Sequence, residues 1–510
     1  MNPENLPLGM RRRAFLRNST AAAIAFSLVP RHVLGGAGQV PPSGKLNVAF
    51  IGVGSQGLRV LLNFLKHPDV QAVSVCDPNR GSADFPQWGQ NEFRDGVRQL
   101  LGTNTGWDWL SPNQPMIPLT RTQKVPSGMA GREPCQKIVD GYYASQKRSG
   151  QYRGCSAYND FRELLEQAKD IDAVVVGTPD HVHAPISIAA MRQGKHVFCQ
   201  KPMAHTIHEA HRMGEVARET GAVTQVAVGP QASESTRLLC EWIWAGTIGP
   251  VRQVHNWSSR PVWPQALERP KDPRPVPAGL DWDLWLGPAP ERPFHPLYQP
   301  FAWRGWHDFG CGALGDMGCY SYDVIFRVLK LGAPTGVQAS SSELYPETYP
   351  AAARVQLDFP ERAGMPAVTL NWYDGGLKPS RPVELEDARE LDKEGLMFVG
   401  DRGTILCGFT GENPRLIPEP KMKAFVAPAK TLPRSPGNER EWLDACKGGA
   451  GKPGANFEFS AGVTEALLLG NVALRSPGRK LLWDPAGQRI TNGPEANARL
   501  HYAYRPGWKL

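Results

Sequence analysis

Hydrophobic and polar residues follow two different periods along the chain, and each change of period marks an element. Residues 45–79, KLNVAFIGVGSQGLRVLLNFLKHPDVQAVSVCDPN, start with an apolar, β-branched run. A helical pattern follows through Leu65, and a second apolar run ends at Asp77. This succession of strand, helix and strand predicts a βαβ unit with parallel strands.

The same alternation returns after residue 150. The predicted helices are YNDFRELLEQAKD, HAPISIAAMRQG and TIHEAHRMGEVARETG, and the predicted strands are IDAVVVGTP, KHVFCQKP and AVTQVAVG. Repeated βα units predict a parallel sheet with helices on both faces. Residues 81–150 interrupt them with polar sequence containing Gly, Trp and Pro, which we interpret as an insertion with one helix near REPCQKIVDGYYASQ.

From about residue 230 the pattern changes to that of antiparallel strands joined by Pro- and Gly-rich connections. The strands are GPVRQVHNWSSR, TGVQASSSELY, AAARVQLDFP and MPAVTLNWYDG, with a late helix FSAGVTEALLLGNVALRS and strand RKLLWDP. The chain has 510 residues, more than the roughly 250 to 300 that one core supports. We therefore predict an α/β domain over 44–228 and an α+β domain over 229–510.

The first 40 residues have a composition of their own. In RRRAFLRNSTAAAIAFSLVP, consecutive arginines precede an alanine-rich run that is too short to span a bilayer. The segment resembles a twin-arginine export signal, with the pair at Arg12 and Arg13. That resemblance predicts a cleaved signal peptide over 1–40, and it implies that the twin-arginine translocase exports the protein, already folded around its cofactor, to the periplasm. The alternative is a basic, disordered N-terminus.

Charge and cysteine content exclude several classes of function. The net charge is +8, but five arginines against Glu4 in residues 1–40 contribute +4 of it, so we expect no nucleic-acid partner. No later segment is apolar and long enough to span a membrane, so we expect no membrane partner once the signal is cleaved. Nine cysteines without a CxxC pair offer no metal site, and most are expected to be small buried residues.

The glycines of the first βαβ unit carry the clearest chemistry. Gly52, Gly54 and Gly57 form GxGxxG directly after a strand and at the start of a helix, with Ser55 and Gln56 between them. In a dinucleotide site these glycines permit a tight turn, close approach of a pyrophosphate and close packing of helix on strand. The pyrophosphate then lies at the positive end of the helix.

Asp77 follows Gly57 at the distance expected of a carboxylate that hydrogen-bonds a ribose 2′-hydroxyl. A 2′-phosphate would meet this negative charge, so the sequence favours NAD over NADP. Arg80 nearby leaves NADP open.

Three more motifs need a common explanation: TPDHVH at 178–183, QKP at 200–202 and GALGDMGCYSYD at 312–323. The first two follow predicted parallel strands, at the sheet edge where ligands bind. Each also has a structural interpretation. The histidines could cap a helix, Lys201 could be a loop residue, Asp316 could be a helix N-terminal charge, and Tyr320 could pack in the core.

Together with the dinucleotide unit, these motifs resemble the Gfo/Idh/MocA oxidoreductases. The resemblance runs from about residue 45 to the C-terminus, through DWDLWLGP, WRGWHDFGCGALGDMG and TNGPEANARLHYAYRPGW. It implies an N-terminal Rossmann domain and a C-terminal α+β domain with a large, mostly antiparallel sheet. The open face of that sheet is often an oligomer interface in the family, which implies a homo-oligomer.

The resemblance also implies roles for individual residues. Lys201 matches the catalytic lysine of the family's Glu-Lys-Pro motif, with Gln200 where a glutamate is usual. Asp316 matches the catalytic acid, and Tyr320 stands four positions later, where a histidine is usual; such residues share one helix face. The implied cofactor contacts in these motifs are Thr178, Pro179, His181, His183, Gln200 and Lys201.

Oxidation of a sugar hydroxyl requires removal of the O–H proton while hydride passes to the nicotinamide. An ammonium group beside a phenol favours the phenolate, so we expect Lys201 to lower the pKa of Tyr320. If the usual glutamate stabilises the lysine ammonium, Gln200 should lower the pKa of Lys201.

Eight of the fifteen tryptophans fall between residues 242 and 306. Indole rings stack on the apolar faces of pyranoses, and an arginine can hydrogen-bond several hydroxyls. Most of these tryptophans are expected to be packing residues. The expected substrate contacts are Trp303, Arg304, Trp306 and His307, and the expected substrate is a sugar, glycoside or cyclitol.

Three functions are compatible with these residues. The first is an NAD(P)-dependent oxidoreductase acting on a carbohydrate with tightly held cofactor. The second is an NAD-dependent glycosidase or lyase that oxidises C3 transiently and eliminates the aglycone. The third, a non-catalytic carbohydrate-binding protein, is suggested by Gln200 and Tyr320 and opposed by the intact Lys201 and Asp316.

Overall fold

The computed structural model describes residues 41, 44–112, 116–118, 124–147, 149–362, 364–449 and 451–510. The predicted signal peptide, residues 1–40, lies outside the described residues, as do short parts of the predicted insertion. Strands and helices are numbered below in chain order.

The N-terminal domain is built on a six-stranded sheet in the order β10-β9-β8-β1-β2-β7, in which all neighbouring strands pair in parallel. The strands are β1 (Leu46–Ile51), β2 (Val70–Cys76), β7 (Ser156–Tyr158), β8 (Ala173–Val176), β9 (His196–Cys199) and β10 (Thr224–Val226). The helices between them are α1 (Ser55–Phe64), α3 (Arg132–Ser145), α4 (Phe161–Gln167), α5 (His183–Arg192) and α6 (Ile207–Thr220). The strand order reverses between β1 and β8, which confirms the predicted Rossmann fold.

The insertion contains more regular structure than the single helix predicted for it. It holds β3 (Ser82–Pro86), α2 (Glu92–Leu101), β4 (Ile117–Pro118), β5 (Lys124–Val125) and β6 (Ser127–Ala130), ahead of the predicted helix α3. β3 pairs with β6 and β4 pairs with β5, both antiparallel. Helix α2 buries only Phe93 and Val97, so its apolar stripe is too narrow to stand out in a polar sequence.

The second domain has a nine-stranded sheet in the order β17-β16-β15-β11-β14-β13-β12-β18-β19. Its strands are β11 (Val251–Trp257), β12 (Gly336–Ser341), β13 (Ala353–Phe359), β14 (Val368–Tyr373), β15 (Gly395–Gly400), β16 (Gly403–Cys407), β17 (Arg415–Ile417), β18 (Leu481–Asp484) and β19 (Arg489–Ile490). The sheet is mostly antiparallel, as predicted. The sequence pattern of β11 and β14 suggested antiparallel strands, but these two strands pair in parallel, because alternation along a strand reports its buried face and not its direction.

The helices of this domain are α7 (Glu234–Trp244), α8 (Trp282–Leu286), α9 (Gly312–Leu329), α10 (Glu419–Ala424), α11 (Asn438–Cys446) and α12 (Phe457–Leu474). Helices α9 and α12 pack so closely that a Cβ on Gly470 would lie 2.4 Å from Leu314 Cδ2. Among the described residues α12 alone is long and apolar enough to cross a membrane, and 83% of it is buried inside the protein. The expectation that no later segment is long and apolar enough to span a membrane is therefore wrong for α12 by length and composition, and its burial indicates a core helix.

The two domains are joined through a shared hydrophobic core. Trp442 of α11 is fully buried and packs edge-on against Phe64 and Phe198 of the N-terminal domain, with ring centroids 5.8 and 5.5 Å apart. A segment from beyond residue 229 therefore completes the first domain's core. This packing fixes the orientation of the two domains around the site described next.

Candidate active site between the two domains

A cavity of about 540 Å³ lies between the domains, at the carboxyl ends of the parallel strands. One wall is formed by the glycine loop after β1, the loop after β8 and the Gln200–Lys201 turn after β9. The opposite wall is formed by residues 299–304 and by the first turns of α9. The cavity therefore occupies the position where doubly wound sheets bind their ligands.

The glycine loop has no room for side chains. Gly52 has a φ of +83°, and a Cβ there would lie 2.5 Å from the Thr178 amide nitrogen. A Cβ on Gly57 would lie 1.9 Å from the Gly52 carbonyl oxygen. Gly54 is close to the insertion, because a Cβ there would meet the Phe85 ring at 2.8 Å. The turn is therefore packed tightly between β8 and the β3 hairpin.

The residues around this loop fit a dinucleotide phosphate. Ser55 Oγ, at the start of α1, and Thr178 Oγ1, after β8, are buried and have no hydrogen-bond partner within the described chain. Buried hydroxyls in proteins are usually hydrogen-bonded, so both are available to a ligand in the cavity. Gln56 and Pro179 also line the cavity. The first backbone N–H groups of a helix attract anions, and α1 begins at this wall.

Asp77 lies at the end of β2, as predicted. Its Oδ2 accepts a hydrogen bond from the Val53 amide and its Oδ1 accepts one from the Asn79 amide, both at 2.8 Å. Burial raises the pKa of Asp77 to about 6 in spite of these bonds. Each oxygen keeps a second lone pair for a ribose hydroxyl. Arg80 forms an ion pair with Glu133 at 2.6 Å and does not line the cavity. The charged side chain in the cavity wall at this point is therefore the carboxylate of Asp77.

Lys201 and Asp316 meet across the domain boundary. Lys201 Nζ donates hydrogen bonds to the main-chain oxygen of Asp316 at 2.8 Å and to its Oδ1 at 2.9 Å. Arg304 Nε donates to the same Oδ1 at 3.1 Å. The side chains of Lys201, Asp316 and Arg304 are only 12%, 11% and 17% exposed. The structure thus brings two predicted catalytic residues and one predicted substrate residue into a single buried ionic cluster.

The charges of this cluster stabilise one another. Burial lowers the pKa of Lys201, but the negative charge of Asp316 outweighs burial and the pKa is raised overall. Burial opposes ionisation of Asp316, yet Lys201 and Arg304 hold its pKa below the usual value. The absence of a glutamate at position 200 therefore does not bring the pKa of Lys201 below that of a free lysine. Both groups are charged at neutral pH.

Tyr320 lies beside the lysine, with Nζ of Lys201 5.0 Å from its ring centroid. Burial raises the pKa of Tyr320 by more than the ammonium of Lys201 lowers it. The expectation of a pKa lowered by Lys201 is therefore wrong in its net sign, because the phenol is more deeply buried than the sequence could show. Tyr320 is a neutral phenol at neutral pH.

Asp180 is a cavity residue that the sequence analysis did not single out. It is 2% exposed, and its Oδ2 accepts a hydrogen bond from the Cys311 amide at 3.1 Å. Burial, reinforced by the negative charge of Asp316, raises the pKa of Asp180 to about 7. Its place inside the TPDHVH motif was the available signal. The cavity therefore holds a second carboxyl group that can change charge near neutral pH.

His181 and His183, predicted as cofactor contacts, are buried beside the cavity and do not line it. The ring nitrogens of His181 lie 3.2 and 3.1 Å from the carbonyl oxygens of Phe309 and Trp285. Those of His183 lie 2.8 and 2.9 Å from the carbonyl oxygens of Pro202 and Thr178. A neutral ring donates only one of its two bonds. Both histidines thus hold the backbone of the loops that form the cavity wall.

Trp303 and Arg304 line the cavity, as predicted for substrate contacts. The Arg304 guanidinium lies 4.2 Å from the Trp303 ring centroid and 4.5 Å from that of Phe301. Trp263 and, from the insertion, Trp88 extend this aromatic wall. Trp88 was not predicted from the sequence, because it falls in the insertion, far from the tryptophan-rich span.

Trp306 and His307, the other two predicted substrate contacts, lie outside the cavity wall. Trp306 is fully buried, and its Nε1 donates to the Leu297 carbonyl oxygen at 2.8 Å. His307 packs edge-on against Tyr349, with ring centroids 4.5 Å apart. Neither residue lines the cavity. The structure therefore does not bring these two predicted substrate residues into the cavity.

Nothing in the described part of the chain suggests a metal centre. No group of three or more His, Cys, Asp or Glu side chains there is arranged to hold an ion. All nine cysteines are free thiols, and eight of them are buried.

Comparison with known families agrees with this geometry. Residues 125–228 match the profile described as "Oxidoreductase family, NAD-binding Rossmann fold" of the Gfo/Idh/MocA group. Residues 246–361 match the profile described as "Oxidoreductase family, C-terminal alpha/beta domain" of the same group. Both matches are to models of the Gfo/Idh/MocA oxidoreductases, and each covers less than a quarter of the chain. The N-terminal domain has the fold of an NAD-binding Rossmann domain, and its glycine loop lies ahead of the matched stretch.

Several curated proteins are similar to parts of this chain. Levoglucosan dehydrogenase of Pseudarthrobacter phenanthrenivorans is 27% identical over 234 residues, which is 45% of this chain and 47% of that protein. The 1,5-anhydro-D-fructose reductase of Ensifer adhaerens is 27% identical over 35% of this chain and 44% of its own length. Inositol 2-dehydrogenase of Salmonella typhimurium is 31% identical over 22% of this chain and 34% of its own length. The matched stretches thus span less than half of each relative.

Solved structures share the fold of this chain at low sequence identity. The WlbA dehydrogenase of Bordetella pertussis, in complex with NADH and UDP-GlcNAcA, has a TM-score of 0.51 and 14% identity over 86% of this chain and 99% of that chain. The WlbA dehydrogenase of Chromobacterium violaceum has a TM-score of 0.51 and 15% identity, and the match covers 88% of this chain and 98% of that chain. These likenesses establish the two-domain architecture alone.

Proposed function

We propose that this protein is an NAD-dependent oxidoreductase that oxidises a hydroxyl group of a sugar, glycoside or cyclitol. The observation that carries the proposal is the buried cluster of Lys201, Asp316 and Arg304 at one end of a cavity whose other wall is a glycine loop built for a dinucleotide. Charged groups buried together in a cleft are typical of active sites.

Different residues of the cavity would bind the cofactor and orient the substrate. NAD held along the glycine loop would supply the hydride acceptor. Ser55 and Thr178 offer hydroxyls to its phosphates, and Asp77 offers acceptor lone pairs to a ribose. Arg304, fixed by Asp316 and stacked on Trp303, orients the hydroxyls of the substrate.

Proton transfer falls to the groups around Lys201. Lys201 and Tyr320 both carry their protons at neutral pH, so they are ready to donate one to a substrate carbonyl oxygen. Oxidation of a hydroxyl runs the other way and needs a group that has lost its proton. We therefore expect reduction to be favoured at neutral pH and oxidation to accelerate as the pH rises.

The substrate class rests on two observations. The cavity wall beside Arg304 is aromatic, with Trp303 and Trp263, and such rings stack on the apolar faces of sugars. The similar curated proteins bear the names of enzymes of levoglucosan, anhydrofructose and inositol. A cyclic polyhydroxy compound is the common element.

Export to the periplasm by the twin-arginine translocase is part of this proposal. Its support is the arginine pair in the sequence at Arg12 and Arg13. Free NAD is scarce outside the cytoplasm, so an exported enzyme must retain its cofactor. A homo-oligomer is likewise proposed, from the family resemblance and the large second sheet. Fractionation of cells carrying the intact and the Arg12→Lys, Arg13→Lys chains tests the location.

The experiment for the activity is mass spectrometry of the freshly purified, denatured protein, followed by a glycoside panel on the native protein. We expect released NAD and, with one or more sugars, net formation of NADH and a keto sugar. Release of an aglycone without net NADH would instead support the glycosidase or lyase reaction. Retained NAD with no product from any sugar would contradict both catalytic functions.

A further inference from the structure

The segment of residues 500–510 crosses from one domain to the other. The Arg505 side chain donates hydrogen bonds to the Gly287 carbonyl oxygen and to the Asp283 carboxylate of the second domain. The Tyr504 hydroxyl donates to Glu209 of α6, a fully buried residue of the first domain. The segment is therefore fixed to both domains before it reaches Trp508.

Further contacts hold the residues around Trp508 on the Rossmann domain. Arg162 Nη1 donates to the Gly507 carbonyl oxygen at 3.5 Å, and Arg192 Nη1 donates to the Leu510 carbonyl oxygen at 3.2 Å. The Arg162 guanidinium carbon lies 4.8 Å from the Trp508 ring centroid. The Phe161 and Trp508 ring centroids are 6.0 Å apart. Trp508 is thus held in one place, and it lines the cavity.

The strand order shows which part of the cavity this is. β7 pairs with β2, with Tyr158 opposite Cys76, so Phe161 and Asp77 follow neighbouring strands at the same edge. Lys201 follows β9, three strands away from β2. In a Rossmann site the acid after the second strand binds the adenosine ribose. Trp508 therefore lies at the adenosine end of the cavity, and Lys201 lies at the nicotinamide end.

We propose that residues 500–510 are part of the dinucleotide site and that Trp508 packs against the adenine ring of NAD. This inference rests on the proposed function, because it requires NAD in the cavity. An indole ring offers a base a large apolar surface, and stacking of a base on an aromatic side chain is a strong contact. Because the segment is fixed to both domains, release of NAD requires this wall to move, which slows loss of the cofactor.

The test is the affinity of the full-length protein, stripped of cofactor, for ADP-ribose, measured by calorimetry. Trp508→Ala should raise the Kd by roughly 10-fold or more, and Trp508→Phe should recover most of it. Trp109→Ala removes a partly exposed tryptophan of the insertion and should leave the Kd unchanged.

A second variant, truncated after Pro506, lacks Trp508 but keeps Tyr504 and Arg505. It tests the loss of the indole ring without placing a substituted side chain in the cavity wall. Faster NADH release from both variants in stopped flow would support the inference. An unchanged Kd in Trp508→Ala would overturn it while leaving the proposed function intact. Failure of the parent protein to bind either ADP-ribose or NADH would overturn the proposed function itself, and the inference with it.

Discussion

Lys201 Nζ donates hydrogen bonds to both the main-chain oxygen and the Oδ1 of Asp316, at 2.8 and 2.9 Å, although 115 positions separate the two residues. One residue follows a strand of the Rossmann domain, and the other lies in the second turn of a helix of the second domain. This buried ionic cluster therefore exists only while the domains are docked, and changes to it should affect stability as well as the proposed turnover.

Asp316→Asn tests the structural part of that relationship. It leaves two buried cations, Lys201 and Arg304, without their counter-ion, so we expect a loss of about 3 kcal/mol in the free energy of unfolding. Asp401→Asn breaks an exposed pair with Arg252 and should cost less than about 1 kcal/mol. Urea unfolding of the two variants measures the difference. Equal losses would contradict a buried ionic cluster.

The pH dependence of turnover follows from the protonation of Lys201 and Tyr320. Their pKa values are both raised above the ordinary ones of about 10.5 and 10. The form that accepts a proton therefore grows with pH up to and beyond these values, and kcat/KM for sugar oxidation should rise about tenfold per pH unit between about pH 7 and 9. Reduction of the keto sugar should show no such rise.

A plateau above about pH 7 would contradict that assignment and point to Asp180, whose pKa is about 7. In that case Asp180→Asn would abolish the plateau. The pH profile of oxidation therefore separates the two candidate bases.

Gln200→Glu tests the position at which the chain departs from the family pattern. Gln200 is 7% exposed and lines the cavity beside Lys201. A carboxylate there would stabilise the ammonium and raise the pKa of Lys201 further, so the oxidation profile should move to higher pH. Gln193→Glu, on the exposed end of α5, adds the same charge at a distance and should leave the profile in place. A Gln200→Glu profile identical to that of the parent would show that Asp316 alone sets the charge of Lys201.

Gly57→Ala tests the close packing behind the cofactor loop. The added Cβ would lie 1.9 Å from the Gly52 carbonyl oxygen, so the turn must shift. We expect a loss of about 1 to 3 kcal/mol in unfolding free energy together with weakened NAD binding. Gly89→Ala is the matched control, because a Cβ there meets nothing within 4 Å. Binding unchanged in Gly57→Ala would place the dinucleotide elsewhere.

The sequence was sufficient to predict those features whose residues are contiguous in the chain. The strand, glycine loop and helix around Gly52 and Gly57 are contiguous, and their period and spacing predicted both fold and cofactor. The lysine and aspartate of the cluster were accessible through a family resemblance. The pKa of Tyr320 was predicted with the wrong sign, because its burial depends on packing between domains. Asp180 was missed because the burial that raises its pKa, and the Asp316 charge that adds to it, both depend on packing between distant parts of the chain.

For the insertion and for residues 500–510, too, the sequence pattern does not predict where the side chains pack. Phe85 against Gly54, Trp88 on the cavity wall and Trp508 at the adenosine end come from segments whose patterns say little about where they pack. Long-range packing decides which tryptophans line the site. It also turns Trp306 inward although its neighbour Trp303 faces the cavity.

The proposed NAD-dependent oxidation depends on proton transfer by Lys201. The direct measurement mixes NAD-loaded protein with the sugar panel and follows the absorbance of reduced nicotinamide for the parent, Lys201→Ala and Lys195→Ala. Lys195 Nζ donates to the Ile171 carbonyl oxygen, away from the cavity, so its removal should leave turnover close to that of the parent. We expect Lys201→Ala to keep its NAD and to lose roughly 10²- to 10⁴-fold in rate. Turnover by Lys201→Ala at the parent's rate would contradict the claim.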